Sequence, residues 1–143
     1  MICPTYPPQE ISGATRYYTD IVRKLGEKGI YIDLLIPAVE QKEVRKEGRL
    51  TVHRMPFMDF KNKKNFKKNS RKLLAYLKSL SKKKKVDLIS SQHLYSWSIL
   101  NPGIALSSTL LSINKNIPNI LTIHTEPNED PENINNIPII NLF

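Results

Sequence analysis

Three short constellations in this chain combine residue types able to do chemistry with spacings that could aim them at one ligand. The first is Thr5-Tyr6-Pro7-Pro8-Gln9-Glu10-Ile11-Ser12-Gly13-Ala14-Thr15, a glycine-containing loop between a short apolar stretch and a segment of helical periodicity. A loop that opens a helix presents backbone N–H groups to an anion, and glycine lets a phosphate come close to the chain. Ser12 or Thr15 is a candidate helix cap. The segment is neither GxGxxG nor a P-loop, and alone it reads more readily as an ordinary turn. The second is Val86-Asp87-Leu88-Ile89-Ser90-Ser91-Gln92-His93, in which His93 falls just past an apolar run and is a candidate for binding a substrate hydroxyl. The third is Ile120-Leu121-Thr122-Ile123-His124-Thr125-Glu126, with His124 at the end of another apolar run and Glu126 two residues on. Each histidine, taken singly, is more often structural than functional. His53, inside an alternating run, is expected to be structural or exposed. The lone Cys3 cannot form an internal disulfide and fits a reducing compartment. With one cysteine and three scattered histidines, no metal site is expected.

The elements that must position these groups follow from periodicity. Ile2-Cys3-Pro4 reads as the tail of a first strand. Ala14, Tyr17, Tyr18, Ile21, Val22 and Leu25 recur at helical spacing, and Gly29 is placed to close that helix. Residues 31–36 form a short apolar run ended by Pro37, expected to be a buried strand. Residues 39–48 are read as a charged connection. Residues 50–55 alternate and form a third strand, ended by Pro56. Phe66, Leu73, Leu74, Leu77 and Leu80 mark an amphipathic helix. Residues 86–90 are a fourth strand, Pro102-Gly103 a break or a helix's first turn, residues 104–113 an apolar helix and residues 117–123 a fifth strand. Residues 126–143 read as a loop with one apolar tail. Strands separated by helices call for a parallel sheet with helices on both faces, a Rossmann-like α/β fold, over residues 1–126. Ligands of such sheets bind beyond the carboxyl ends of the strands, which selects the loops after Cys3, Ser90 and Ile123.

Length and composition fit one domain. The chain has 143 residues, 40% hydrophobic and 24% charged. No apolar run is long enough for a membrane span, and the opening residues lack the basic and apolar regions of a signal peptide. The net charge is +9, and residues 61–85 hold twelve of the 22 Lys and Arg with no acid. Such a segment attracts polyanions or an anionic membrane, or is simply a solvated surface.

Taken in order, the motifs carry a resemblance. Tyr6-Pro7-Pro8, the Ser12-Gly13-Ala14 turn and a helix ending Leu25-Gly26-Glu27-Lys28-Gly29 resemble the opening of the family 4, GT-B-type glycosyltransferases. Leu50-Thr51-Val52-His53-Arg54-Met55-Pro56 is similar to their third strand. Val86-Asp87-Leu88-Ile89-Ser90-Ser91-Gln92-His93 and Ile117-Pro118-Asn119-Ile120-Leu121-Thr122-Ile123-His124 are similar to their two histidine-ended strands. The resemblance implies the N-terminal, acceptor-side half of a transferase that uses a nucleotide sugar as substrate and needs no other cofactor. It implies Ser12, Gly13 and Ala14 at the donor diphosphate, His124 at the reacting centre, and His93 and Glu126 toward a glycan or lipid-linked acceptor. It also implies a cytoplasmic setting, at the inner face of the membrane where the acceptor is lipid-linked. Departures are Ser12 where the family has glycine, Gly29-Ile30 where it has Gly-His, and a short first strand. The donor-holding C-terminal domain has no counterpart in these residues, so the chain alone is expected to be inactive, as a gene fragment, a split enzyme whose C-terminal domain lies on a separate polypeptide, or a degenerate product. Two other readings stand beside this one: a non-enzymatic basic α/β module for membrane or nucleic acid, and another GT-B enzyme such as a sugar-nucleotide epimerase.

Overall fold

In a computed structural model of the chain, the structure describes residues 1–7, 13–38, 40–58, 63–95 and 102–125. Within them lie α1 (Gly13–Glu27), β1 (Ile32–Pro37), β2 (Glu43–Glu47), β3 (Leu50–Met55), α2 (Phe66–Lys83), β4 (Ile89–Tyr95), α3 (Pro102–Lys115) and β5 (Asn119–Thr125), with short 3-10 turns at Pro56–Met58 and Lys63–Asn65.

The strands make two ladders, β1-β3-β2 and β4-β5, joined through Ile2. Ile2 bridges Leu35 of β1 and Ser91 of β4, both in parallel sense. Its amide donates to the Ser90 carbonyl at 2.7 Å and its carbonyl accepts from Gln92 N–H at 2.8 Å. On the other side, Cys3 N–H donates to the Leu35 carbonyl at 2.9 Å and Leu35 N–H to the Met1 carbonyl at 2.9 Å. The opening residues thus act as a strand between β1 and β4, giving the spatial order β2-β3-β1-residues 1–3-β4-β5. All neighbours are parallel except β2 and β3.

Alternation along the strands divides the core. Ile32, Leu34 and Ile36 face α1, packing with Cys3, Tyr18 and Val22. Leu35 and Met55 face the other way, with Ile2, Leu73 and Leu77 of α2, Ile89, and Ile104 and Leu111 of α3. Helices therefore cover both faces, as a Rossmann-like α/β fold requires. Gly29 ends α1 with φ of 86°, Ile30 N–H donating to the Leu25 carbonyl and Gly29 N–H to the Gly26 carbonyl. This is the bonding of a Schellman cap, in which a glycine takes the left-handed position. Pro102 opens α3 as its first residue, where a missing N–H costs nothing.

Three expectations change. The charged connection contains β2, whose five residues are all exposed, paired antiparallel with β3 through a two-residue turn at Gly48 and Arg49. Gly48 has φ of 59°, suited to the first position of a II′ hairpin turn. β4 begins at Ile89 and runs to Tyr95, so His93 lies within it and not past its end. Polar Ser91 and Gln92 hold the ladder because both are buried and internally bonded. Finally, Thr15 is the third residue of α1, buried and not a cap; its carbonyl accepts from Thr19 Oγ1 at 2.9 Å.

Candidate functional site at the carboxyl edge of the sheet

Helix α1 runs back from the carboxyl edge of the sheet to the start of β1, so its first residues, Gly13 and Ala14, stand at that edge. The N–H groups of a helix's first turn have no intrahelical acceptor and carry the positive end of the dipole. A β-carbon built on Gly13 would meet no atom within 4 Å, so packing among the described residues does not demand glycine here. Ser12 and Glu126 lie outside the described residues.

His93 and His124 both fall in the carboxyl halves of neighbouring strands. The register pairs His93 with Ile123 and Leu94 with His124. The two histidines therefore sit one step apart, on successive rows of the ladder. Residues 1–3 pair with β4 and β4 pairs with β5, so the start of α1 at Gly13 and Ala14 and the strand positions of His93 and His124 fall at the same, carboxyl edge of the sheet.

Arg54 lies near the carboxyl end of β3 and carries no sequence motif of its own. Its Nη2 donates to the Pro7 carbonyl at 3.4 Å, and its Nε lies 3.4 Å from the Glu43 carboxylate. It ties the loop after residues 1–3 to the neighbouring strand across 47 residues of chain. Nothing local signals such a contact; only the position of an arginine near the end of a strand could have pointed to it. Tyr6, on the same loop, has its phenol pushed up by burial, partly offset by its hydrogen bond with Thr19.

His53 has a different role. It is 4% exposed. One ring nitrogen, Nε2, lies 2.8 Å from Asp33 Oδ1, and Nδ1 lies 2.8 Å from the Tyr76 hydroxyl. Lys84 Nζ donates to the same Asp33 oxygen at 2.6 Å. Burial would raise the Asp33 carboxyl, but the hydrogen bonds from His53 and Lys84, with the Lys84 charge, together outweigh it and bring it down to about 2. With both nitrogens partnered, His53 is structural, linking β1, β3 and α2. Cys3 is fully buried, and burial pushes its thiol up to about 12, so it is protonated and unreactive at neutral pH. Among the described residues, no group of three or more His, Cys, Asp or Glu is placed to hold a metal ion.

A Rossmann-like sheet with a glycine-opened helix and two histidine-bearing strands defines the class, a Rossmann-like α/β domain. The particular family follows from comparison. The family model for Glycosyltransferase Family 4 matches residues 11–138, most of the chain, and the chain belongs to that family as its N-terminal domain. The match continues past β5, into residues 126–138. No curated protein matches the chain.

Proposed function

We propose that this chain is the acceptor-side half of a GT-B, nucleotide-sugar-dependent transferase that moves a sugar onto a glycan or lipid-linked acceptor. The observation that carries this reading is the start of α1 at Gly13 and Ala14, at the same edge of the sheet as the carboxyl halves of β4 and β5. Amides there would stabilise the charge that develops on a departing diphosphate, where preorganised donors act most strongly. Ser12 would complete that turn. His124 would touch the transferred sugar near the reacting centre, and His93 and Glu126 would line the acceptor side. The remaining donor contacts would come from a C-terminal domain, in the same or a separate polypeptide, so these 143 residues would not turn over alone. No resident cofactor is invoked.

The test is sugar transfer from a panel of UDP-, GDP- and ADP-linked sugars, by the chain alone and with a C-terminal domain of the same family fused or added. Activity only with the added domain is expected. Gly13→Asp should abolish it by placing a carboxylate where the diphosphate would lie, while leaving thermal stability near that of the parent, since a β-carbon there meets no atom of the described residues within 4 Å. Turnover by the chain alone would contradict the half-site reading. Failure with every added domain would contradict the transferase reading.

One observation favours a contact beyond the edge site. The exposed stripe of α2 carries Lys67, Lys68, Arg71, Lys72, Lys78, Lys82 and Lys83, none of which is in an ion pair among the described residues. Over an 18-residue helix, about 27 Å long, that is a charged face suited to anionic headgroups at the inner surface of a cytoplasmic membrane. No helix among the described residues is long and apolar enough to cross a membrane. A purely non-enzymatic basic module, for membrane or nucleic acid, is the second reading this face supports.

A further inference from the structure

Arg54 fastens together parts of the molecule that the chain places far apart. Leu50 and Val52 of the same strand pack with the cluster beneath α1, and by alternation Arg54 shares their face. The register sets it beside Ile36 of β1, which is fully buried. β1 lies between β3 and residues 1–3, so the guanidinium reaches past β1 to the loop that leaves those residues, where Nη2 donates to the Pro7 carbonyl at 3.4 Å. Taking a charge out of water costs free energy unless it is met. Here the side chain is 24% exposed, and the carboxylate of Glu43, its cross-strand neighbour on β2, lies 3.4 Å from Nε. The acceptor is a stiff point of the chain. Pro7 is followed by Pro8, and a proline fixes its own φ and keeps the residue before it out of helical geometry. Holding that carbonyl therefore constrains the direction in which the chain moves on. Tyr6 is fastened to the other side. Its phenol is hydrogen-bonded to the Thr19 side chain, and Thr19 Oγ1 donates to the Thr15 carbonyl in the opening turn of α1. Successive loop residues are thus tied, one to the helix and one to the sheet.

We propose that Arg54 is a positioning residue for the start of α1. By holding the Pro7 carbonyl, with Tyr6 held against Thr19, it sets the course of the chain toward Gly13 and so the direction in which the amides of Gly13 and Ala14 point. Glu43 keeps the guanidinium in place, which gives the all-exposed β2 a task. What those amides meet rests on the transferase reading; the hold itself does not.

Backbone amide resonances of the full chain test the hold without any turnover. In Arg54→Ala the signals of Tyr6, Gly13 and Ala14 should move or broaden. Val52→Ala, two residues earlier on the same face of β3, removes packing and leaves the hold. It should lower the melting temperature and leave the Gly13 and Ala14 signals in place. Unchanged Gly13 and Ala14 signals in Arg54→Ala overturn the proposal. Equal changes in Val52→Ala also overturn it, because they would mean a general loosening of the sheet. Where an added C-terminal domain gives transfer, Arg54→Ala should lower kcat about 100-fold, the scale of a small misplacement at a reacting centre, with the acceptor KM nearly unchanged. Arg54→Lys, which keeps a charged donor for the carbonyl, should recover most of that loss. Val52→Ala, assayed well below its melting temperature, should match the parent. A parent-like kcat in folded Arg54→Ala overturns the proposal. If no added domain gives transfer, the transferase reading fails and the resonances alone decide.

Discussion

Asp33 shows how much of this protein's chemistry is invisible along the chain. Its partners are 20 residues away (His53) and 51 residues away (Lys84), and no local pattern joins them. The alternating run of residues 50–55 predicted His53 as structural or exposed; the structure settles on structural, since β1 and β3 align Leu35 with His53 and so bring Asp33 within reach on the same face. The consequence is a pH dependence whose sign is set by the direction of the shift. A carboxyl held at about 2 in the fold against an ordinary 3.8 contributes stability that is complete above 3.8 and lost as pH falls toward 2. The site is a quarter exposed, which trims the effect to about 1–2 kcal/mol. Urea unfolding from pH 7 to pH 2 should therefore show Asp33→Asn less stable than the parent at neutral pH, with the gap closing between pH 4 and 2. A gap constant with pH would mean that the ionised carboxylate is not what holds His53 and Lys84.

At the scale of elements, periodicity reads well where one face is buried and poorly where pairing decides. The helix stripes and β3 are plain in the sequence because packing dictates their alternation. β2 is not, because an all-exposed edge strand needs no apolar pattern; its signal is the glycine of the turn that follows it. The carboxyl half of β4 is missed for the opposite reason. Ser91, Gln92 and Ser108 are buried polar residues whose needs are met inside the fold, with Gln92 Nε2 donating to Ser90 Oγ at 2.9 Å and Ser108 Oγ to Ser91 Oγ at 3.4 Å. α2 separates its two tasks cleanly. Leu73 and Leu77 are buried, while the cations lie outward. Replacing Lys67, Lys68, Arg71 and Lys72 with Glu should thus leave stability within about 1 kcal/mol, as expected for exposed substitutions. It should also remove binding to vesicles of mixed phosphatidylserine and phosphatidylcholine at low salt, which the parent should show and lose as salt rises. Equal binding to purely zwitterionic vesicles would rule out the electrostatic contact.

In the molecule as a whole, three residues join what would otherwise be two sheets. β1 and β4 do not pair with each other; each pairs with residues 1–3. Ile2 belongs to the core beneath α2 and α3, and Cys3, next in the chain, to the core beneath α1. The seam is thus also where the two hydrophobic layers meet, and the candidate site lies at its carboxyl end, so the geometry of the edge depends on it. The sequence shows the apolar character of these residues but not their position, because central placement is a property of the pairing and not of three residues. Ile2→Ala should cost about 2–4 kcal/mol, as for other buried large-to-small changes. The loss should also be local before it is global. The Leu35 and Gln92 amides, which donate to the Met1 and Ile2 carbonyls, should exchange with solvent much faster in the variant, while the β1–β3 and β4–β5 ladders keep protection in proportion to the remaining stability. If all three sets of amides lose protection by the same factor, the sheet opens as one unit, and the edge that carries Gly13, His93 and His124 is held by the whole fold and not by its central seam.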